Sequence, residues 1–84
     1  MYYVYALQSL RDRNWVYIGY SDDLRERCAV HFAGKVKSTK SKTPLRLVYY
    51  EAYLSEEDAR KREYHLKTGQ QREQMKERLI NSLG

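Results

Sequence analysis

Five side chains stand out by type and spacing as candidates for chemistry: Tyr5, Tyr17, Arg27, His31 and Glu63. Glu63 is the most anomalous. In the helical pattern over residues 56–67, Ala59, Glu63 and Leu66 recur at i, i+4 and i+7, so a carboxylate falls on the stripe meant for the core. A carboxylate there is costly unless it is paired or bound to a cation. Two accounts fit. One is a salt bridge to Arg60, Lys67 or Arg27, or a slight rotation of the helix that leaves Glu63 at the rim. The other is a divalent metal, because one carboxylate with several waters suits Mg²⁺ when a substrate supplies phosphate oxygens.

Arg27 and His31 lie one helical turn apart and flank an apolar stripe. Arg suits bidentate contact to phosphate. His31 could move a proton or orient a water, since an imidazole titrates near neutrality. An Arg and a His on a helix flank are also often simply solvated. Tyr5 and Tyr17 belong to two short aromatic segments. A tyrosine serves as a general base only if a nearby cation lowers its pKa from about 10. A two- or four-residue loop between the segments would put the two rings on opposite faces, and an odd loop on the same face. The sequence leaves this open.

The elements that must position these groups follow from pattern. Residues 1–9 and 15–20 are rich in β-branched and aromatic residues and flank the turn Arg11-Asp12-Arg13-Asn14, which predicts an antiparallel hairpin. Gly19 within the second strand predicts a bulge or a close approach to the backbone. Ser21-Asp22-Asp23 offers N-caps for a helix with the stripe Leu24, Cys28 and Phe32, ending at Gly34. Residues 35–46 form a basic loop carrying Lys35, Lys37, Lys40, Lys42 and Arg46 without an acid. It is either a solvated mobile loop or a phosphate-contacting one. Residues 45–54 read as a third strand, apolar on both faces and therefore central or covered. Ser55 with Asp58 begins a helix over 56–67, Gly69 breaks it, and a further helix over 70–83 carries the stripe Met75, Leu79, Ile80 and Leu83. The order β-β-α-β-α-α predicts an α+β domain, a three-stranded antiparallel sheet flanked by helices.

Composition sets the limits. Eighty-four residues suffice for a single small domain over 1–84 with a thin core. Hydrophobic content of 42% and charged content of 32% suit a folded chain better than disorder. The net charge of +5 favours anionic partners, nucleic acid foremost. The lone Cys28 excludes an internal disulfide and a cysteine-based zinc cluster, and fits a reducing, cytoplasmic setting. There is no signal-peptide pattern and no apolar run near the ~18 residues of a membrane helix, so no membrane partner is expected.

Tyr3-Val4-Tyr5, Tyr17-Ile18-Gly19, Asp23-Leu24 with Arg27, and His31 together resemble the opening of the GIY-YIG nuclease family, in particular its small stand-alone members. The likeness continues through the Gly34 turn, Thr43-Pro44 before Leu47-Val48-Tyr49-Tyr50-Glu51, and Ala59 with Arg62-Glu63. It implies a three-stranded antiparallel sheet and cleavage of DNA phosphodiester bonds with one divalent metal, Mg²⁺ or Mn²⁺. Matched to the family motifs, Glu63 would hold the metal and Tyr5 or Tyr17 would activate or place the attacking water. Arg27 would neutralise charge on the phosphate, and His31 would assist proton transfer or orient a tyrosine. The chain departs from the pattern at Tyr3-Val4-Tyr5, which stands for Gly-Ile-Tyr, and at Tyr20, where some relatives carry lysine. A late family asparagine has no clear counterpart.

The expectation is therefore a metal-dependent DNA endonuclease, selective for branched, damaged or single-stranded forms and serving repair or recombination. The alternative is a nucleic-acid-binding or partner-binding module on the same scaffold with weak or no catalysis. Residues 35–46, through Lys35, Lys37, Lys40, Lys42 and Arg46, would contact DNA. Cutting both strands requires two sites or two visits, which leaves monomer and homodimer open.

Overall fold

Strand β1 (Tyr2–Ser9) is the centre of the molecule, with every residue from Val4 to Ser9 buried. The computed structural model describes residues 1–84. β1 is followed by β2 (Val16–Ser21), α1 (Leu24–Phe32), a 3-10 turn at Lys40–Lys42, β3 (Leu45–Tyr53), α2 (Glu56–Leu66), α3 (Gly69–Arg78) and α4 (Ile80–Leu83). The sheet is antiparallel with order β2-β1-β3, and the α+β architecture expected from the pattern is present.

β3 was expected to be central or covered, and it is an edge strand. The hairpin places β2 on one side of β1, so the strand returning from α1 must pair on the other. β3 is nevertheless covered, because α1 and α2 pack on its opposite faces. A bulge between the pairs Ala6↔Tyr49 and Leu7↔Leu47 leaves Val48 unpaired. That one-residue slip puts the consecutive residues Val48 and Tyr49 in the layer of α2, with Leu45 and Leu47 in the other.

Side-chain alternation divides the core in two. Val4, Ala6, Val16 and Ile18 meet Ala59, Leu66 and Met75 of α2 and α3 on one face. Tyr5 and Leu7 meet Cys28 and Leu45 on the other, flanked by Trp15, Tyr17, Leu24 and Leu47. Each fully buried aliphatic side chain contributes about 1.5–3 kcal/mol relative to exposure, so the stripes on β1 hold both layers.

Helix α1 begins where the Asp23 carboxylate accepts from the Glu26 N–H at 3.1 Å, a cap that contributes about 1 kcal/mol. It ends at Gly34, whose φ of +73° lets Lys35 N–H reach the Val30 carbonyl and Gly34 N–H the His31 carbonyl. The buried residues of α1 are Cys28 and His31. Phe32, expected on the apolar stripe, is 46% exposed and lines an open cleft with Cys28, Leu47 and Tyr50.

The helix expected over 70–83 is two helices separated at Leu79, and Gly69 opens the first of them. Two contacts draw the end of the chain onto the sheet and account for the break. Gln8 Nε2 donates to the Leu83 carbonyl at 2.8 Å, and Arg46 donates to the Ser82 carbonyl at 2.7 Å. Ile80 is consequently exposed while Leu79 and Leu83 pack against the core.

Candidate active site

Tyr5 pairs with Gly19 and Leu7 with Tyr17 across the β1–β2 ladder. Residues directly opposite share a face, as do residues two apart on one strand, so Tyr5 and Tyr17 point to the same side. Their ring centroids are 6.4 Å apart. The last pair is Gln8↔Val16, which encloses the odd number of residues 9–15. That is the parity a shared face requires. Gly19 shows why the strand carries a glycine: a Cβ there would overlap the Tyr5 hydroxyl and its ring. The close approach expected at this glycine is made by the phenol of Tyr5.

Helix α1 lowers His31 onto the same face. Its imidazole is fully buried, unlike the solvated flank position its sequence context also allowed. Nε2 lies 2.9 Å from the Tyr5 hydroxyl and Nδ1 lies 2.8 Å from the Thr39 hydroxyl. The ring also packs against Tyr17 at a centroid distance of 5.2 Å. Burial, reinforced by the nearby Arg27 charge, pushes the His31 pKa down to about 4. The imidazole is therefore neutral at physiological pH.

Burial pushes the Tyr5 hydroxyl up to about 12. Arg27 lies near enough to offset part of this rise, although it falls short of a regular hydrogen bond. Tyr5 is thus a neutral phenol at rest, 1% exposed. Tyr17, half-buried over His31 and stacked on Trp15, is the more open of the two rings.

Glu63 belongs to the opposite layer. It makes no hydrogen bond or ion pair with Tyr5, Tyr17, Arg27 or His31, and its recorded partner is Lys67 at 3.1 Å. This is one of the salt bridges the sequence allowed. The Glu63 side chain remains 22% exposed. Its side of α2 can be fixed from neighbours: the Tyr20 hydroxyl donates to Glu56 at 2.8 Å, and Arg60 lies over the Tyr20 ring at 4.3 Å. Residues 56, 60, 63 and 67 form one helical stripe, so Glu63 lies on the flank of α2 turned toward β2. Tyr17 projects from that edge strand on the other face. No group of three or more His, Cys, Asp or Glu residues comes together as a metal cluster.

The basic loop is tied to the sheet and to α1 by two side-chain contacts. Thr39 is buried against His31, and the Ser9 hydroxyl donates to the Lys42 carbonyl at 2.7 Å. Lys35, Lys37 and Lys40 are exposed. Lys42 lies 3.6 Å from Asp12 and 5.8 Å from the centre of the Trp15 ring. The Arg46 guanidinium is engaged by Gln8 Oε1 and the Ser82 carbonyl, both at 2.7 Å.

Three polar groups escaped the sequence reading. Thr39 sat among loop residues of the same type, with no signal to single it out. Gln8, fully buried, joins the hairpin, β3 and the chain end through Arg13, Arg46 and Leu83. Glu51 accepts from Tyr49, Tyr53 and Arg62. Burial alone would raise its carboxyl, but these donors outweigh burial and hold it below the usual carboxylate range. Cys28 is buried and its thiol is pushed up by desolvation, as befits a packing residue.

The GIY-YIG catalytic domain matches residues 1–78. The chain belongs to the GIY-YIG family. It is 40% identical over 76 residues to the UPF0213 protein SH2523 of Staphylococcus haemolyticus, covering 89% of this chain and 90% of that one. A UPF0213 protein of Streptococcus pneumoniae is 41% identical over 66 residues, covering 77% of this chain and 65% of that one. The solution NMR structure of the UPF0213 protein BH0048 from Bacillus halodurans superposes with a TM-score of 0.55 at 35% identity, covering 89% of this chain and 82% of that one. Within this GIY-YIG domain no helix is long and apolar enough to cross a membrane.

Proposed function

We propose that this GIY-YIG domain hydrolyses phosphodiester bonds in DNA with the help of a divalent cation. The observation that carries the proposal is the gathering of Tyr5, Tyr17 and His31 on one sheet face, with Arg27 beside the Tyr5 hydroxyl.

Glu63 would hold Mg²⁺ or Mn²⁺. Its donor chemistry fits, since a single partly exposed carboxylate leaves most of the coordination to water and phosphate oxygens, as hard cations prefer. Such a cation would supply Lewis-acid stabilisation of charge on the phosphate and on the leaving oxygen. Lys67 would have to release the carboxylate first. The phosphate would lie along the β2 edge, the border between the layer of Glu63 and the layer of the tyrosines.

The remaining roles follow from exposure. Tyr17, the more open ring, contacts the attacking water. Tyr5 and His31, both buried, form the support behind it. Arg27 offsets charge that develops on the phosphate. Lys35, Lys37 and Lys40, with Lys42 beside them, contact the backbone of the DNA. Arg46 instead holds the chain end in place. Branched, damaged or single-stranded DNA, a role in repair and a cytoplasmic setting remain part of the proposal.

A binding module with little catalysis is the second reading, favoured by the Glu63–Lys67 pair and by the placement of Glu63 across the sheet from the tyrosines. Incubation of single-stranded, duplex, flapped and branched DNA with Mg²⁺ or Mn²⁺ separates the two. Cleavage abolished by EDTA and by Glu63→Ala supports the nuclease. Binding of equal strength by both proteins, with no cutting of any substrate, supports the module.

A further inference from the structure

Thr39 occupies an unusual place for its residue type. It lies in a loop of exposed lysines and serines, yet it is fully buried. It precedes the 3-10 turn, where a threonine hydroxyl would ordinarily cap a neighbouring N–H, and it makes no such bond. Its hydroxyl reaches across the chain to Nδ1 of His31 instead, at 2.8 Å.

The two hydroxyls, one on each ring nitrogen, together set the direction of the proton. Nε2 of His31 is the recorded hydrogen-bond partner of the buried Tyr5 hydroxyl. Neither hydroxyl has another partner, so whichever one accepts from the ring keeps a proton without an acceptor, and the weaker donor is the cheaper one to leave so. A phenol is a stronger donor than an aliphatic alcohol, and the Arg27 charge beside the Tyr5 oxygen favours electron density there. The Tyr5 O–H therefore donates to Nε2. A neutral imidazole carries one N–H, which leaves Nδ1–H to donate to Thr39.

We propose that Thr39 is a positioning residue whose hydroxyl holds His31 in the Nδ1–H tautomer, keeping Nε2 free to accept from Tyr5 and so fixing the phenol beneath Gly19. Nε2–H is the form that a free histidine prefers, so the loop imposes the less common tautomer. The loop whose lysines face the proposed DNA is thereby tied to the ring behind the two tyrosines. The consequence for cleavage rests on the nuclease proposal. The tautomer does not.

Long-range proton–nitrogen correlation spectra of nitrogen-15-labelled protein test this directly, because the chain has only two histidines and the exposed His65 serves as an internal reference. The wild type should show His31 with a protonated Nδ1 and a bare Nε2. Thr39→Val keeps the shape and removes the hydroxyl, and should give an Nε2–H or mixed signal. Thr39→Ser should restore the wild-type pattern. On a substrate the wild type cuts, Thr39→Val should lower kcat by about ten-fold, the lower end of the range seen when a metal-bound imidazole loses its orienting partner. A protonated Nε2 in the wild type overturns the proposal, and that spectrum is decisive even if Thr39→Val fails to fold. An unchanged tautomer in folded Thr39→Val overturns it too. The expected tautomers in a protein that cuts no DNA would sink the nuclease reading and leave the Thr39 assignment standing.

Discussion

Gly19 lies directly opposite Tyr5 across the central hairpin, and the space a Cβ would need at Gly19 is already filled by the Tyr5 phenol. The glycine is required by the tyrosine, and the tyrosine is held by the imidazole of His31. Gly19→Ala should displace the ring, destabilising the fold by about 1–3 kcal/mol as overpacked cores do. Tyr5→Ala opens a cavity of its own and should cost about 3–5 kcal/mol, but in that background the further change Gly19→Ala should cost little, because the clash is gone. Urea titration checks both, and an unperturbed single variant would contradict the packing.

Glu63 should matter for metal and hardly at all for stability. Its pair with Lys67 is a partly exposed i,i+4 contact worth about 0.3–0.5 kcal/mol. Glu63→Gln should unfold within a degree or two of wild type while losing metal-dependent cleavage. Lys67→Met removes the competing cation and should tighten Mn²⁺ binding, measured by calorimetry.

Acid should weaken the protein in two stages. The folded pKa of His31 lies at about 4, below its ordinary value of about 6.5. The unfolded chain therefore takes up a proton that the folded protein refuses. Stability is intact above pH 6.5 and falls as the pH drops from there toward 4, by up to about 3 kcal/mol. Glu51 is depressed below the usual carboxylate range, so its contribution is present above that range and fades only at lower pH. In His31→Gln the first stage should vanish and the second remain, as read by urea midpoints across pH.

Arg27 acts on both members of the buried pair. Arg27→Ala should let the His31 pKa rise toward its ordinary value, visible in the imidazole nitrogen shifts, because one source of its depression is gone. On a cleavable DNA the same change should cost roughly 10²–10³-fold in kcat, the range for removing a donor that stabilises charge in the transition state.

The basic side chains of the loop should divide by role. Lys37→Gln and Lys40→Gln should weaken DNA binding and reduce the slope of log K against log salt by about 1 each, with the melting temperature unchanged. Arg46→Gln should instead lower stability, because it frees Ser82 and leaves Gln8 Oε1 buried without its donor. Fluorescence anisotropy at several salt concentrations, beside thermal melts, separates the two behaviours.

The sequence by itself determined the elements up to α2, the α+β class and the identity of the unusual residues. Strand alternation, the Asp23 and Ser55 caps and the Gly34 stop are local effects, and local effects are written in neighbouring residues. Its family likeness was legible for the same reason, since the motifs are short and ordered. Only the tertiary structure decided the rest. The parity of the hairpin put Tyr5 and Tyr17 on one face. The return of the chain put β3 at an edge, and the clasp of Gln8 and Arg46 on residues 82 and 83 broke the last helix. Thr39 gained its partner across eight residues of chain and a helix end. Burial of His31 and the separation of Glu63 from the tyrosines depend on which face each helix covers. Packing of distant segments sets that choice, and no local pattern encodes it.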